Sequence, residues 1–299
     1  MLVGTALGLV LSPLLLGLIG RTKGLLAGRR GPPLLQPYRD IAKLLHKGAV
    51  YSTTTTALFR AAPAIALAAS VGALLLTPLG PLDGPAAMSG DLLVLAGLLV
   101  LVRCAMVLAA LDTGSAFEGM GASRELQYGA LLEPTVLLAL LALLVQAGVS
   151  SVSDALPAAA LWQGGIGGTA LLLVLLSLCL VLLAEGARVP FDDPATHLEL
   201  TMVHEVLVFD HSGPDLAFLE MGRALRLWVL GALLIGVVLP PLGVPWFLEV
   251  AAALLALLLL AVGVGMLESM LARLRLIRVP TTLLGASAMT LVALVLLVR

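Results

Sequence analysis

Long apolar runs alternate with short polar segments along the whole chain. Eight stretches, roughly 2–20, 59–78, 91–111, 129–148, 168–185, 224–241, 248–267 and 281–298, are close to the ~20 mostly apolar residues a helix needs to cross a bilayer. The connections between them are too short to hold a separate soluble domain. The pattern predicts an all-α integral membrane protein, residues 1–299 forming one polytopic bundle of eight transmembrane helices. The first stretch has neither a basic leader nor a small-residue cleavage site, so it is read as a retained helix. A ninth element has a different period. Gln36, Arg39, Asp40, Lys43, His46 and Lys47 recur at helical spacing opposite Leu35, Tyr38, Ile41, Leu44 and Leu45. That pattern predicts an amphipathic helix lying in the membrane surface, with Gly31-Pro32-Pro33 turning the chain into it.

Composition agrees with the periodicity. Hydrophobic residues make up 60% of the chain, against about 45–50% in soluble domains. A net charge of −1 makes nucleic acid an implausible partner. The charges that remain are unevenly placed. Fifteen of the seventeen Lys and Arg fall in or beside the segments 21–58, 112–128, 186–223 and 268–280, which share one side of an eight-span bundle. The opposite loops, 79–90, 149–167 and 242–247, contain none. The positive-inside rule therefore predicts a protein of the cytoplasmic (inner) membrane, with the basic loops cytoplasmic and both termini outside.

The densest polar segment is Glu185–Glu205, with eight ionisable side chains in a chain that is 12% charged. It starts where an apolar run ends, and charge beside hydrocarbon usually marks a partner or an ion pathway. Two further charges stand inside spans. Arg103 lies nine residues before Asp112, roughly 13 Å below the basic rim. Glu133 sits about one turn inside the fourth span, and the two are natural partners. The outcome could be a buried ion pair that fixes packing or a step in a proton route.

Other motifs lead nowhere. His204-Glu205 begins like a zincin helix, but Val208 occupies the second ligand position. His197, His204 and His211 are spaced by seven, yet no Cys or close His pair completes a metal shell, and solvated or interfacial histidines are expected. Cys104 and Cys179 lack any CxxC spacing and read as small core residues. The run Gly164-Gly165-Ile166-Gly167-Gly168 reads as a flexible linker. Nothing in the chain resembles a self-contained active site.

Four blocks of residues do resemble a known family. They are Arg29-Arg30-Gly31-Pro32 with Leu35-Gln36-Pro37, Asp40 and Lys43-Leu44; Leu111-Asp112-Thr113-Gly114-Ser115 with Gly121-Ala122-Ser123-Arg124-Glu125 and Glu133; Glu185-x-x-Arg188-x-Pro190-Phe191-Asp192 with Glu199-Leu200; and Glu268 with Met270-x-Ala272-Arg273-Leu274-Arg275. Together they resemble the complex I subunit 1 family, and more closely its counterpart in energy-converting group 4 [NiFe]-hydrogenases of the formate hydrogenlyase and hydrogenase-4 type. The Asp-Thr-Gly-Ser block and Glu268 are features of that hydrogenase branch. The chain lacks the insert that follows Arg-Gly-Pro in complex I versions, and Ala195 and His197 interrupt the acidic series there.

The resemblance implies a non-catalytic membrane anchor with no cofactor of its own. The [NiFe] centre and iron–sulfur clusters would belong to hydrogenase large and small subunits and to iron–sulfur subunits, beside antiporter-like membrane subunits and membrane lipid. It implies an ion-pathway or coupling set of Arg103, Asp112, Glu133, Glu185, Arg188, Asp192, Glu199 and Glu268. It implies peripheral-arm docking by Arg29, Arg30, Gln36, Asp40, Lys43, Asp193, His204, Glu205, Arg273 and Arg275. Two other classes stand beside this reading. One is a complex I subunit forming a quinone chamber. The other is a free-standing secondary transporter, for which no internal repeat is visible.

The topology is directly measurable. Single cysteines at Ser52, Ser89 and Ser212 are exposed to a membrane-impermeant maleimide in intact cells. Only the Ser89 position is expected to react, and labelling at Ser212 without permeabilisation would invert the arrangement.

Overall fold

The computed structural model describes residues 2–156, 165–192, 203–239, 241 and 243–298. Eight of its helices are long and apolar enough to span a membrane. They are α1 (Leu2–Leu26), α3 (Ala57–Leu76), α4 (Asp91–Asp112), α5 (Ala116–Ala147), α7 (Ile166–Glu185), α8 (Gly213–Val238), α9 (Trp246–Met270) and α10 (Val279–Val298). Between them lie the surface helix α2 (Gln36–Leu45) and a single turn, α6 (Val152–Ala155). Among the described residues there is no β-strand, and the protein is an all-α membrane bundle.

Helix α8 occupies the centre, packed against α1, α2, α3, α7 and α9. Helices α3, α4 and α5 pack in sequence on one flank, and α10 closes the other against α5 and α7. In a bilayer, helix association rests on close packing rather than on the hydrophobic effect, so small residues mark the contacts. Gly17 is one of them: a Cβ there would collide with the carbonyl of Leu34, so the chain leading into α2 lies directly on α1. Tyr38 of α2 then donates its hydroxyl to the Val10 carbonyl at 2.5 Å, holding the surface helix against the bundle.

Two elements are longer than the hydropathy pattern predicts. Residues 116–128, expected in a loop, continue as the first turns of α5. At 32 residues α5 is roughly 48 Å long, well beyond the ~30 Å hydrocarbon layer. Likewise α8 begins at Gly213, about three turns before the apolar run expected from 224. Glu118 and Glu125 in the first extension and Asp215 in the second break an apolar window yet are buried.

Asp112 and Asp91 tie helix ends together. Asp112 accepts hydrogen bonds from the Thr56 backbone N–H (2.7 Å) and hydroxyl (2.9 Å), pinning the start of α3 to the end of α4. At the opposite end, buried Asp91 accepts from Val152 N (2.8 Å) and Ser151 Oγ (3.0 Å).

Candidate functional site

The inside of the bundle is organised around one guanidinium. Arg103, on α4, is 5% exposed. Its Nε donates to Glu125 Oε1 at 2.8 Å, its Nη1 to Glu133 Oε1 at 2.8 Å, and its Nη2 to Glu185 Oε1. Three carboxylates from two helices thus share one planar cation, each on a different nitrogen of the guanidinium fork. Glu125 and Glu133 are eight residues apart on α5, with Gly129 midway on the same face. Glycine at 129 gives Arg103 its space, because a Cβ there would lie 2.6 Å from Arg103 Cδ.

One guanidinium does not balance three carboxylates. Arg226 of α8 places Nη1 3.8 Å from Glu185 Oε2, and His204 places Nε2 3.5 Å from Glu125 Oε2. With His204 protonated the cluster holds three cations and three anions. The chain of contacts continues outward: His204 Nδ1 is 3.9 Å from Asp192 Oδ2, and Arg273 Nη2 donates to Asp192 Oδ1 at 3.1 Å. The backbone N–H groups of Val203 and His204 also donate to Asp192, each at 3.2 Å.

A second cluster lies nearer the basic rim. Glu268, 5% exposed at the end of α9, accepts from Arg188 Nη1 at 3.4 Å and faces Lys23 Nζ at 3.7 Å. Arg223 and Glu220 pair nearby, at 3.7 Å. Glu220, Arg223 and Arg226 follow one another by threes on α8, so that helix connects the two clusters. Between them is a cavity of about 70 Å³, lined by Ser70, Glu125, His204, Arg223 and Arg226 among others. Glu125 Oε2, both ring nitrogens of His204, Arg223 Nε and Arg226 Nε border it without a hydrogen-bond partner among the described residues. Water is the usual occupant of so polar a space, and a few molecules fit.

Several expectations are corrected by this geometry. His204 is not solvated; it is tucked between Glu125 and Asp192, its side chain 19% exposed. His204 and His211 share no helix: His204 precedes a short 3-10 turn, Val206–Val208, and His211 follows it. His211 is buried with its ring stacked on Phe59 at 4.0 Å. Glu185 pairs with Arg103 and Arg226, not with Arg188 three residues on. The helix ends at Glu185, Ala187 takes φ +50°, and Arg188 is carried towards Glu268 instead. Asp112 stands apart from the cluster, on Thr56. Arg273 faces inward to Asp192, whereas Arg275 is exposed. Arg29, Arg30, Asp40 and Lys43 lie on the exposed surface, with Gln36 donating to Asp40 at 2.8 Å. Glu205 lines the cavity. Asp193, His197 and Glu199 lie outside the described residues.

Sequence reasoning did not place Glu125, Arg226, Glu220 or Arg223 in the site. The Glu125–Gly129–Glu133 spacing is the signal that could have found the first, once 116–128 is read as helix.

The loop charges follow from their neighbours. Burial alone would lower the His204 pKa, but the Glu125 and Asp192 carboxylates outweigh it and hold the imidazole above its ordinary value. Asp192 is held below the usual carboxylate range: burial opposes this, and contact with His204 prevails. Burial brings Arg188 down to about 10 in spite of Glu268. For His211, burial depresses the pKa. Among the described residues no three His, Cys, Asp or Glu side chains converge as metal ligands.

Arg103→Met leaves three carboxylates without their shared cation and is expected to cost about 3–5 kcal/mol, read as a lower melting temperature. His204 gives a pH signature. A raised folded pKa contributes stability that is fully present below about pH 6.5 and is lost as pH rises through the folded value. Melting curves across that window are expected to show this loss in wild type and not in His204→Gln.

Comparison with known proteins places the chain. The NADH dehydrogenase family model matches residues 1–299. Hydrogenase-4 component C of Escherichia coli K12 is 34% identical over 235 residues, covering 78% of this chain and 72% of that protein. Formate hydrogenlyase subunit 4 of the same organism is 31% identical over 271 residues, 89% of this chain and 87% of the relative. A chain of the membrane-bound sulfane sulfur reductase, an archaeal respiratory membrane complex, superposes with a TM-score of 0.83 at 20% identity, over 99% of this chain and 97% of that one, a likeness of fold. With its whole length matched and two relatives above 30% identity, the chain belongs to the NADH dehydrogenase family of complex I-type membrane subunits.

Proposed function

We propose that this chain is the membrane-anchor and coupling subunit of an energy-converting [NiFe]-hydrogenase complex. It seats the peripheral electron-transfer arm and links proton reduction there to ion movement in the membrane. The observation that carries this reading is the Arg103 cluster. A cation bridging Glu125, Glu133 and Glu185 inside a bundle is costly to maintain, and ionisable groups at such depth mark ion routes. The relatives' names, a hydrogenase-4 component and a formate hydrogenlyase subunit, point to the same kind of complex.

The chain's own residues suggest how coupling would run. Glu268, Arg188, Glu220 and Arg223 receive the charge change from the basic face. The small polar cavity passes it to His204 and Glu125, and Arg103 relays it to Glu133. Glu133 is the outlet, its side chain 31% exposed on the flank of α5 where a neighbouring membrane subunit would sit. Protonating any one carboxylate frees one arm of the guanidinium and changes the charge balance felt by the other two. A shared cation therefore couples sites on α5 and α7 without a large movement.

Replacing a carboxylate by its amide keeps shape and removes charge. Glu133→Gln and Glu185→Gln are expected to leave the complex assembled and to lower proton-linked hydrogenase turnover in intact membranes. Glu249→Gln, at the opposite end where the side chain accepts from Gly243 N, is expected to behave as wild type. Unchanged coupled turnover in both of the first variants would remove them from a relay.

Docking is tested separately. In this proposal the segments 29–47 and 192–220, which share the predicted basic side and carry charges of both signs, seat the peripheral arm by polar complementarity. Reversing exposed Arg29 and Arg30 to Glu is expected to release hydrogenase activity from the membrane fraction. Retention of all activity on the membrane would reassign these arginines to lipid contact.

A further inference from the structure

Residues 46–56 form a strap that joins α2 to α3, and it is fastened at the start of α8. The Val50 N–H donates to Ser212 Oγ at 3.0 Å, and the Ser212 hydroxyl lies 3.3 Å from the Val50 carbonyl. Gly213 takes φ +57°, and a Cβ there would lie 2.7 Å from the Gly48 carbonyl oxygen, so the two backbones touch. Tyr51 of the strap stands edge-on to Phe59 of α3, ring centroids 6.5 Å apart, with the Arg60 guanidinium 4.8 Å over its face. His211 is the residue next to this fastening. Its ring lies within 6° of parallel to Phe59, 4.0 Å away, and the residue is 3% exposed. Both ring nitrogens are buried without a hydrogen-bond partner among the described residues.

The charges around this contact come from several elements. Asp210 and Asp215 act on His211 directly, and Asp215 also faces the Tyr51 hydroxyl. Glu118 of α5 accepts from Asp210 N, and Asp112 of α4 holds Thr56 at the end of the strap. Beside Phe59, α4 contributes Ala105 and Ala109. A neutral imidazole can lie on Phe59 with neither nitrogen bonded. An imidazolium cannot, because burying an ion with two unsatisfied N–H donors costs far more than burying the neutral ring. Both nitrogens are closed to solvent, so a proton reaches them only when the contact opens. Proton uptake and opening are therefore one event.

We propose that the strap is an acid-released latch, closed while a neutral His211 lies on Phe59 and opened when the protonated ring leaves for water and the Asp210 and Asp215 carboxylates. The direction agrees with the electrostatics: burial draws the His211 pKa below its ordinary value, against the pull of Asp215 and Asp210. A depressed folded pKa makes closure fully favourable above about pH 6.5 and weakens it as pH falls towards the folded value. The sign is opposite to that of His204. The latch does not rest on the hydrogenase reading, since it needs the fold alone.

Hydrogen exchange of the detergent-purified full chain, read by mass spectrometry, tests it. Exchange is compared at about pH 7.5 and about pH 5.5, each rate divided by that of an unstructured peptide at the same pH. A released imidazole titrating near 6.5 predicts about a tenfold loss of protection in peptides covering 48–52 at the lower pH. His211→Phe keeps an aromatic ring against Phe59 without a titrating group, and its protection is expected to be the same at both pH values. His204→Gln is expected to retain the tenfold loss. Equal protection of wild type at both pH values overturns the latch. So does a loss in His211→Phe as large as in wild type, which would assign the response to another group. Should His211→Phe fail to fold, His211→Gln takes its place with the same expectation. Wild type also decides alone, because a loss spread evenly over 48–52 and 91–112 would be general acid unfolding and would refute the proposal.

Discussion

Arg103 carries a permanent positive charge into a bundle that sits in hydrocarbon, and most of the polar architecture follows from that. Removing an ion from water costs several kcal/mol even after relaxation, so the guanidinium has to be surrounded by acceptors. Glu125, Glu133 and Glu185 supply them, and their own excess negative charge draws in Arg226 and His204. Each contact fixes an element. Glycine at 129 lets α5 approach α4 over the arginine, α7 ends where Glu185 can reach it, and the segment after 202 folds back until His204 lies between Glu125 and Asp192. The network specifies a register between helices that apolar packing in lipid would leave loosely defined.

The proposed coupling rests on the same constraint. Charges that share partners cannot change one at a time, so in that proposal an event at the basic face that alters Asp192, Arg188 or Glu268 would be felt at Glu133 through a short series of contacts. No long-range wire is needed beyond side chains already in van der Waals or hydrogen-bond range and a small polar cavity. Among the described residues the opposite ends of the helices carry no ion pair: there Asp91 accepts from Val152 N and the Ser151 hydroxyl, and Glu249 from Gly243 N. The asymmetry between the two ends, visible first as a one-sided distribution of Lys and Arg, is thus also an asymmetry of chemistry.

Hydropathy located all eight spans and the surface helix, because lipid-facing positions must be apolar and α2 must present two different faces. It failed where a helix is covered by protein instead of lipid. The first turns of α5, with Glu118 and Glu125 buried, and of α8, with buried Asp215, look like loop to an apolar window. Reading 116–128 as loop also hid the shared face of Glu125 and Glu133. The pairing of Arg103 with Glu133 was legible from depth alone. The true partner of Glu185 was not, since the turn at Ala187 diverts Arg188 from the helix face on which sequence spacing places it. His204 was misjudged as solvated because burial of a loop histidine depends on what folds over it, and a linear sequence does not carry that information.

The central claim is that the carboxylates around Arg103 change protonation when the assembled complex turns over. Reaction-induced infrared difference spectroscopy of the complex in native membranes reads such changes through the carbonyl stretch of a protonated carboxyl group. On switching between hydrogen-reduced and oxidised states, a carboxyl band is expected in wild type that disappears in Glu133→Gln and shifts in Arg103→Lys. A difference spectrum with no carboxyl band, or with one untouched by either substitution, would contradict the account and leave the network a structural brace alone.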